Sequence, residues 1–162
     1  MKNKEHLPLM GVGPVYVMSI IVLTVIGIVL SAADVLSACK YDVLKMPFAI
    51  LGVLLIVFGV FMWFSANFAS KLDDNIKSNK LVTTGVYAWV RNPIYSAFLL
   101  MCTGAILIAN NIILLLLPLI YWIFMTVLMK NTEEKWLKKL YGQEYTEYCK
   151  KVNRCIPWFP EK

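Results

Sequence analysis

Uncharged apolar runs divide the chain into segments that a membrane would accommodate. No charge interrupts the sequence between Glu5 and Asp34, and the run from Val12 to Ala33 is long enough to cross a hydrocarbon core of roughly 30 Å. Basic residues precede this run, and Ser31-Ala32-Ala33 resembles the cleavage site of a leader. The apolar core nevertheless exceeds the usual leader length of roughly 7 to 15 residues, so retention as a first span is the expectation. A second span is predicted from about Met46 to Phe68, with Trp63 placed as an interfacial anchor.

From Asn92 to Met129 the chain runs 38 residues without a charge. One helix of that length, rising about 1.5 Å per residue, is far longer than a bilayer is thick, so the segment must fold back. Asn110-Asn111, near its midpoint, suits a tight turn. That leaves Pro93 to Ala109 and Ile112 to Met129 as short antiparallel spans, with Pro118 placed to kink the fourth.

Beyond Met129 the pattern changes. Trp136, Leu137, Leu140, Tyr141, Tyr145, Tyr148, Cys149 and Val152 recur at helical spacing, while Lys135, Lys138, Lys139, Lys150 and Lys151 fall on the other face. This predicts an amphipathic helix, bent at Gly142. The expected architecture is therefore all-α: an integral membrane helical bundle of four transmembrane helices (12–33, 46–68, 93–109 and 112–129) with a cytosolic amphipathic C-terminal helix, in a single membrane domain covering 1–162.

Composition agrees with the pattern. Of 162 residues, 59% are hydrophobic and 16% charged, with a mean hydropathy of +0.66. A soluble domain of this size carries about a quarter charged residues. The net charge is +6, and in so apolar a chain excess base marks the inner membrane face rather than a nucleic-acid site. With both termini cytosolic, fourteen of the sixteen Lys and Arg residues fall on that side and only Lys40 and Lys45 outside. The expectation is a multi-pass protein whose loop 69–92 and tail from Lys130 share the cytosolic face.

Metal chemistry is not expected. Cys39, Cys102, Cys149 and Cys155 form no CxxC pair and have no neighbouring histidine, and the single histidine, His6, sits among Lys2, Lys4 and Glu5 near the terminus. The chemistry must rest on Arg, Asn, Tyr, Glu and backbone groups.

Two places concentrate such groups. Asn92-Pro93 opens the third span as an N-cap followed by proline at the first helical position, and the unpaired N–H groups there suit a carboxylate or phosphate. Arg91 beside it serves either as a headgroup anchor or as a two-pronged carboxylate ligand. Glu133-Glu134 follows the fourth span. In the plainer reading these acids sit in the first turn of a helix capped by Asn131 or Thr132 and complement its dipole. In the other, an acid pair at the inner membrane surface accepts hydrogen bonds from a ribose or balances a cation.

At these residues the chain resembles the isoprenylcysteine carboxyl methyltransferases and related phospholipid methyltransferases. The resemblance lies in Leu81 to Tyr95, Glu133-Glu134, Tyr141 to Tyr148 and Val152 to Pro157, and covers about Asn79 to Pro157. It implies an integral membrane enzyme that binds S-adenosylmethionine on its cytosolic side and methylates an apolar or lipidated substrate, such as a prenylcysteine carboxylate, arriving from the lipid bilayer. By the same resemblance, the cofactor contacts fall on Asn79, Lys80, Leu81, Val82, Tyr87, Asn92, Pro93, Ile94, Tyr95 and Glu133. Arg91, Glu133 and Glu134 are the candidate catalytic residues, with Met129 and Lys130 on the substrate side. No metal and no nucleic acid is implied.

Two departures qualify it. The family's Arg-His-Pro is Arg91-Asn92-Pro93 here, and asparagine positions a ligand but does not act as an acid or base near neutral pH. The family's substrate-side arginine, four residues before the glutamate, is Met129, and the adjacent Lys130 lacks a bidentate fork. An NADPH-dependent membrane reductase of the sterol reductase type shares the pattern Arg91-x-Pro93-x-Tyr95. A lipid-binding scaffold is the non-enzymatic alternative.

Overall fold

Apolar runs become helices because, in a setting that offers no water, a helix pairs the backbone groups within its own segment. The computed structural model describes residues 11–33, 35, 42–69 and 81–159, and all elements among them are helical. Helix α1 spans Gly13–Ala32 and α2 spans Asp42–Phe64, the latter ending in a π turn, Ser65–Ala69. A 3-10 turn at Gly85–Ala88 leads to α3, Pro93–Ile108; a second 3-10 turn at Ile112–Leu115 leads to α4, Leu116–Asn131. The tail carries α5, Glu133–Tyr141, and α6, Gln143–Lys151.

Three helices are long and apolar enough to cross a membrane: Gly13–Ala32, Asp42–Asn67 and Ile112–Tyr141. The expectation of four is therefore met only in part. Helix α3 is apolar but has 16 residues, which at about 1.5 Å each gives about 24 Å. Pro118, expected to kink the fourth span, lies in the first turn of α4, where a missing N–H breaks no bond within that helix.

The fold-back comes where the sequence places it. Asn110 adopts φ 50°, a left-handed conformation that asparagine tolerates better than most side chains. The Asn111 side chain accepts a hydrogen bond from the Ile113 N–H (3.2 Å) and donates one to Ser31 at the end of α1 (3.0 Å). Thr24 and Tyr121 share a hydroxyl hydrogen bond of 2.9 Å farther along. These contacts set α1 parallel to α3 and antiparallel to α4.

Helix α2 runs antiparallel to α3 and packs on it closely. A Cβ on Gly52 would come within 2.6 Å of the Gly104 carbonyl oxygen, and one on Gly104 within 2.5 Å of the Gly52 carbonyl. Small residues permit this approach where no hydrophobic effect drives helices together. Tyr16, Ile20, Ile106, Tyr121, Met125 and Met129 fill the core between α1, α3 and α4. Large apolar side chains such as Val15, Val22 and Val29 on α1, or Leu119 and Ile123 on α4, remain exposed, as a lipid-facing belt requires. The antiparallel order brings the starts of α1 and α3, the end of α4 and the tail to one end of the bundle.

Candidate functional site

Pro93 at the first position of α3 supplies a preset φ, so the helix begins sharply at that end. Asn92 holds the N-cap position as expected, but its side chain does not cap. It donates instead to the Arg154 carbonyl (3.0 Å), and among the described residues no side chain accepts from the N–H groups of the first turn. Tyr95 lies one turn into α3 and donates to Glu133 Oε1 (2.7 Å). Glu133 opens α5 just past the end of α4, so the antiparallel pairing of α3 and α4 brings these two residues together.

The same carboxylate oxygen accepts the Val12 N–H (3.3 Å). The start of α1 thus forms a wall of this site, and only a small residue fits it: a Cβ on Gly13 would come within 2.5 Å of the Tyr95 hydroxyl. Both bonds fall on Oε1, and among the described residues Oε2 is left over. Tyr87, buried in the 3-10 turn, lies close enough to feel this carboxylate. Burial pushes its phenol up, and the Glu133 charge adds to the shift.

Glu134 points elsewhere. It takes a two-pronged hold from Arg154, Nε at 2.5 Å and a terminal nitrogen at 3.0 Å, and Arg91 approaches at 3.1 Å. The Glu134 carboxylate, hydrogen-bonded to Arg154, raises that guanidinium's pKa above its ordinary value. Arg91 also donates to Cys149 Sγ (2.7 Å), while its Nε is buried without a hydrogen-bond partner among the described residues.

The tail holds this end shut. Tyr148 donates to the Tyr87 carbonyl (2.6 Å), the Arg91 N–H to the Asn153 carbonyl (2.8 Å), Ser96 to the Cys155 carbonyl (2.6 Å), and the Trp158 N–H to the Trp89 carbonyl (3.0 Å). Burial pushes the Tyr148 phenol up, so it stays a donor throughout the ordinary pH range.

The structure gathers Arg91, Asn92, Pro93, Ile94, Tyr95, Glu133, Glu134 and Tyr87 at one end of the bundle. Leu81 and Val82 are half-buried nearby, Val82 packing on the cluster that contains Tyr87. Asn79 and Lys80 lie outside the described residues, as do His6 and Cys39. Met129 and Lys130 are not brought together: Met129 is fully buried in the core and Lys130 is exposed. Among the described residues no group of acids, cysteines or histidine suits a metal.

Sequence reasoning assigned no role to Arg154, Ser96, Tyr148 or Gly11 to Gly13. Arg154 stands in a block the resemblance marked, but only the returning tail reveals its partner. The Gly11-x-Gly13-Pro14 spacing was the one available signal at the start of α1.

A family model described as phospholipid methyltransferase matches residues 47–144. A protein-S-isoprenylcysteine O-methyltransferase of Schizosaccharomyces pombe is 39% identical over 98 residues, covering 60% of this chain and 40% of its own. Enzymes of the same name from Saccharomyces cerevisiae and Homo sapiens are 32% and 31% identical, covering 67% and 68% of this chain and 48% and 41% of theirs. The chain thus spans less than half the length of these curated relatives. No solved structure matches.

Proposed function

This chain belongs to the phospholipid methyltransferase family, and on that premise we propose that it transfers a methyl group from S-adenosylmethionine to a lipidic or apolar acceptor such as a prenylcysteine carboxylate. The observation that carries the reading is the meeting of Tyr95 and Glu133 at 2.7 Å beside the uncapped start of α3. An anion-seeking helix end and a carboxylate with an unused oxygen, set among tyrosines, match a ligand that carries a carboxylate, a diol and a cation.

The fit can be followed group by group. N–H groups in the first turn of α3 receive the methionine carboxylate. Glu133 Oε2 accepts from the ribose hydroxyls, and Tyr95 keeps the Glu133 side chain oriented. Tyr87 and Tyr95 present ring faces to the sulfonium. When bound, S-adenosylmethionine supplies an electrophilic methyl on a positively charged sulfur. The protein's part is to align donor and acceptor and exclude water, and orientation of this kind is worth several kcal/mol, up to about 7–11 in favourable systems. A carboxylate acceptor needs no base, which accords with asparagine at position 92. Arg91 and Glu134 support the helix start from its other side.

In this reading α3 completes a set of four spans, both termini are cytosolic, and the acceptor arrives laterally from the bilayer. Lys130 is the basic residue left on the substrate side where Met129 replaces an arginine.

Calorimetric titration of the detergent-purified protein with S-adenosylhomocysteine and, separately, NADPH tests the proposal. Binding of S-adenosylhomocysteine with no NADPH heat is expected. Binding of NADPH alone would assign the site to a reductase instead.

A further inference from the structure

A cavity of about 570 Å³ lies between the tail and α4. It shares Arg91 with the end of the bundle just described, but none of Tyr87, Tyr95 or Glu133 lines it. Arg91, Lys150, Lys151 and Arg154 contribute to its wall and among the described residues no carboxylate does, Lys150 pairing with Glu147 outside it (2.8 Å). Glu134, behind that wall, is shared by both arginines, so a single negative charge faces two guanidiniums. Arg91 is nine-tenths buried and its Nε has no acceptor among the described residues.

Four aromatic residues, Trp89, Trp122, Trp158 and Phe159, share the wall with smaller side chains. Trp122 of α4 is 40% exposed and Trp158 is 66% exposed. Indoles of this kind mark the headgroup level of a membrane, and a basic pocket beside a spanning helix at that level is the usual receptacle for an anionic headgroup.

We propose that this cavity binds the phosphate headgroup of an anionic phospholipid, the arginines and lysines taking the phosphate and the tryptophans the glycerol and upper acyl chains. The lipid then ties the tail to α4. The proposal does not depend on the methyl donor or acceptor, since the wall holds none of Tyr87, Tyr95 or Glu133.

The tryptophans provide the probe. The full chain, reconstituted in phosphatidylcholine vesicles, is titrated with phosphatidylglycerol brominated in its acyl chains and, in parallel, with equally brominated phosphatidylcholine, reading tryptophan quenching. Quenching at lower mole fraction by the glycerol lipid is expected. The preference should fall about fivefold for each basic residue removed. Arg154→Gln tests the half-buried cation held by Glu134, and the double variant Lys150→Gln/Lys151→Gln, altering only exposed side chains, tests the charge without threatening the fold. Equal quenching by both lipids, a preference unchanged in the lysine double variant, or its abolition by inorganic phosphate at constant ionic strength would each overturn the proposal, the last by assigning the cavity to a free anion.

Discussion

Glu133 and Glu134 are neighbours in sequence with separate duties, because successive residues on a helix point about 100° apart. Glu133 turns to Tyr95 and Val12, Glu134 to Arg91 and Arg154. Glu133→Gln keeps the shape but loses the charge, and a hydrogen bond to a charged group is worth about 1.5–3 kcal/mol, so affinity for S-adenosylhomocysteine should fall about 10- to 100-fold by calorimetry. Glu134→Gln should act on stability instead. It leaves two largely buried guanidiniums without their carboxylate, a loss of about 3 kcal/mol that a thermal unfolding scan reads as a lowered Tm. The acid pair was visible in the sequence as a pair, but its division was not, since that depends on Arg154 returning from 20 residues downstream.

Among the elements, α3 and the tail decide the site. The turn at Asn110-Asn111 and the start at Pro93 were legible because local chemistry sets both. The role of Asn92 was not, because a tertiary acceptor, the Arg154 carbonyl, outcompetes the local cap. The α2–α3 contact is equally non-local: two glycines 52 residues apart in number become backbone neighbours only after α2 has folded against α3. Gly104→Val should separate these helices, costing about 1–3 kcal/mol or more by overpacking and lowering the Tm. Tyr148→Phe removes the bond to the Tyr87 carbonyl and leaves a buried acceptor unsatisfied. That change should cost about 1–3 kcal/mol and speed proteolysis of the tail under native conditions.

At the scale of the whole molecule, helix order and charge lead to the same geometry. Alternating helix directions bring the start of α1, the start of α3 and the end of α4 together, and fourteen of the sixteen basic residues belong to segments assigned to that side. Tags placed at the two termini should therefore be cleaved together by a protease added to inside-out vesicles and protected together in right-side-out ones. The bundle was legible as long apolar runs, while its span count was less so, because α3, at 16 residues, is shorter than the helices long enough to cross a membrane. The participation of α1 in the site was not legible at all, since its sequence carries only the Gly11-x-Gly13 spacing.

In the proposed reaction the Tyr95–Glu133 end of the bundle presents a methyl donor to an acceptor from the lipid. Transfer of labelled methyl from S-adenosylmethionine to a farnesylated cysteine in reconstituted vesicles measures it directly. A base-labile methyl ester, formed by the native protein and reduced at least tenfold by Glu133→Gln, is expected. Transfer that is undiminished in that variant, or a native protein that binds the donor's product yet esterifies no prenylcysteine, would contradict it.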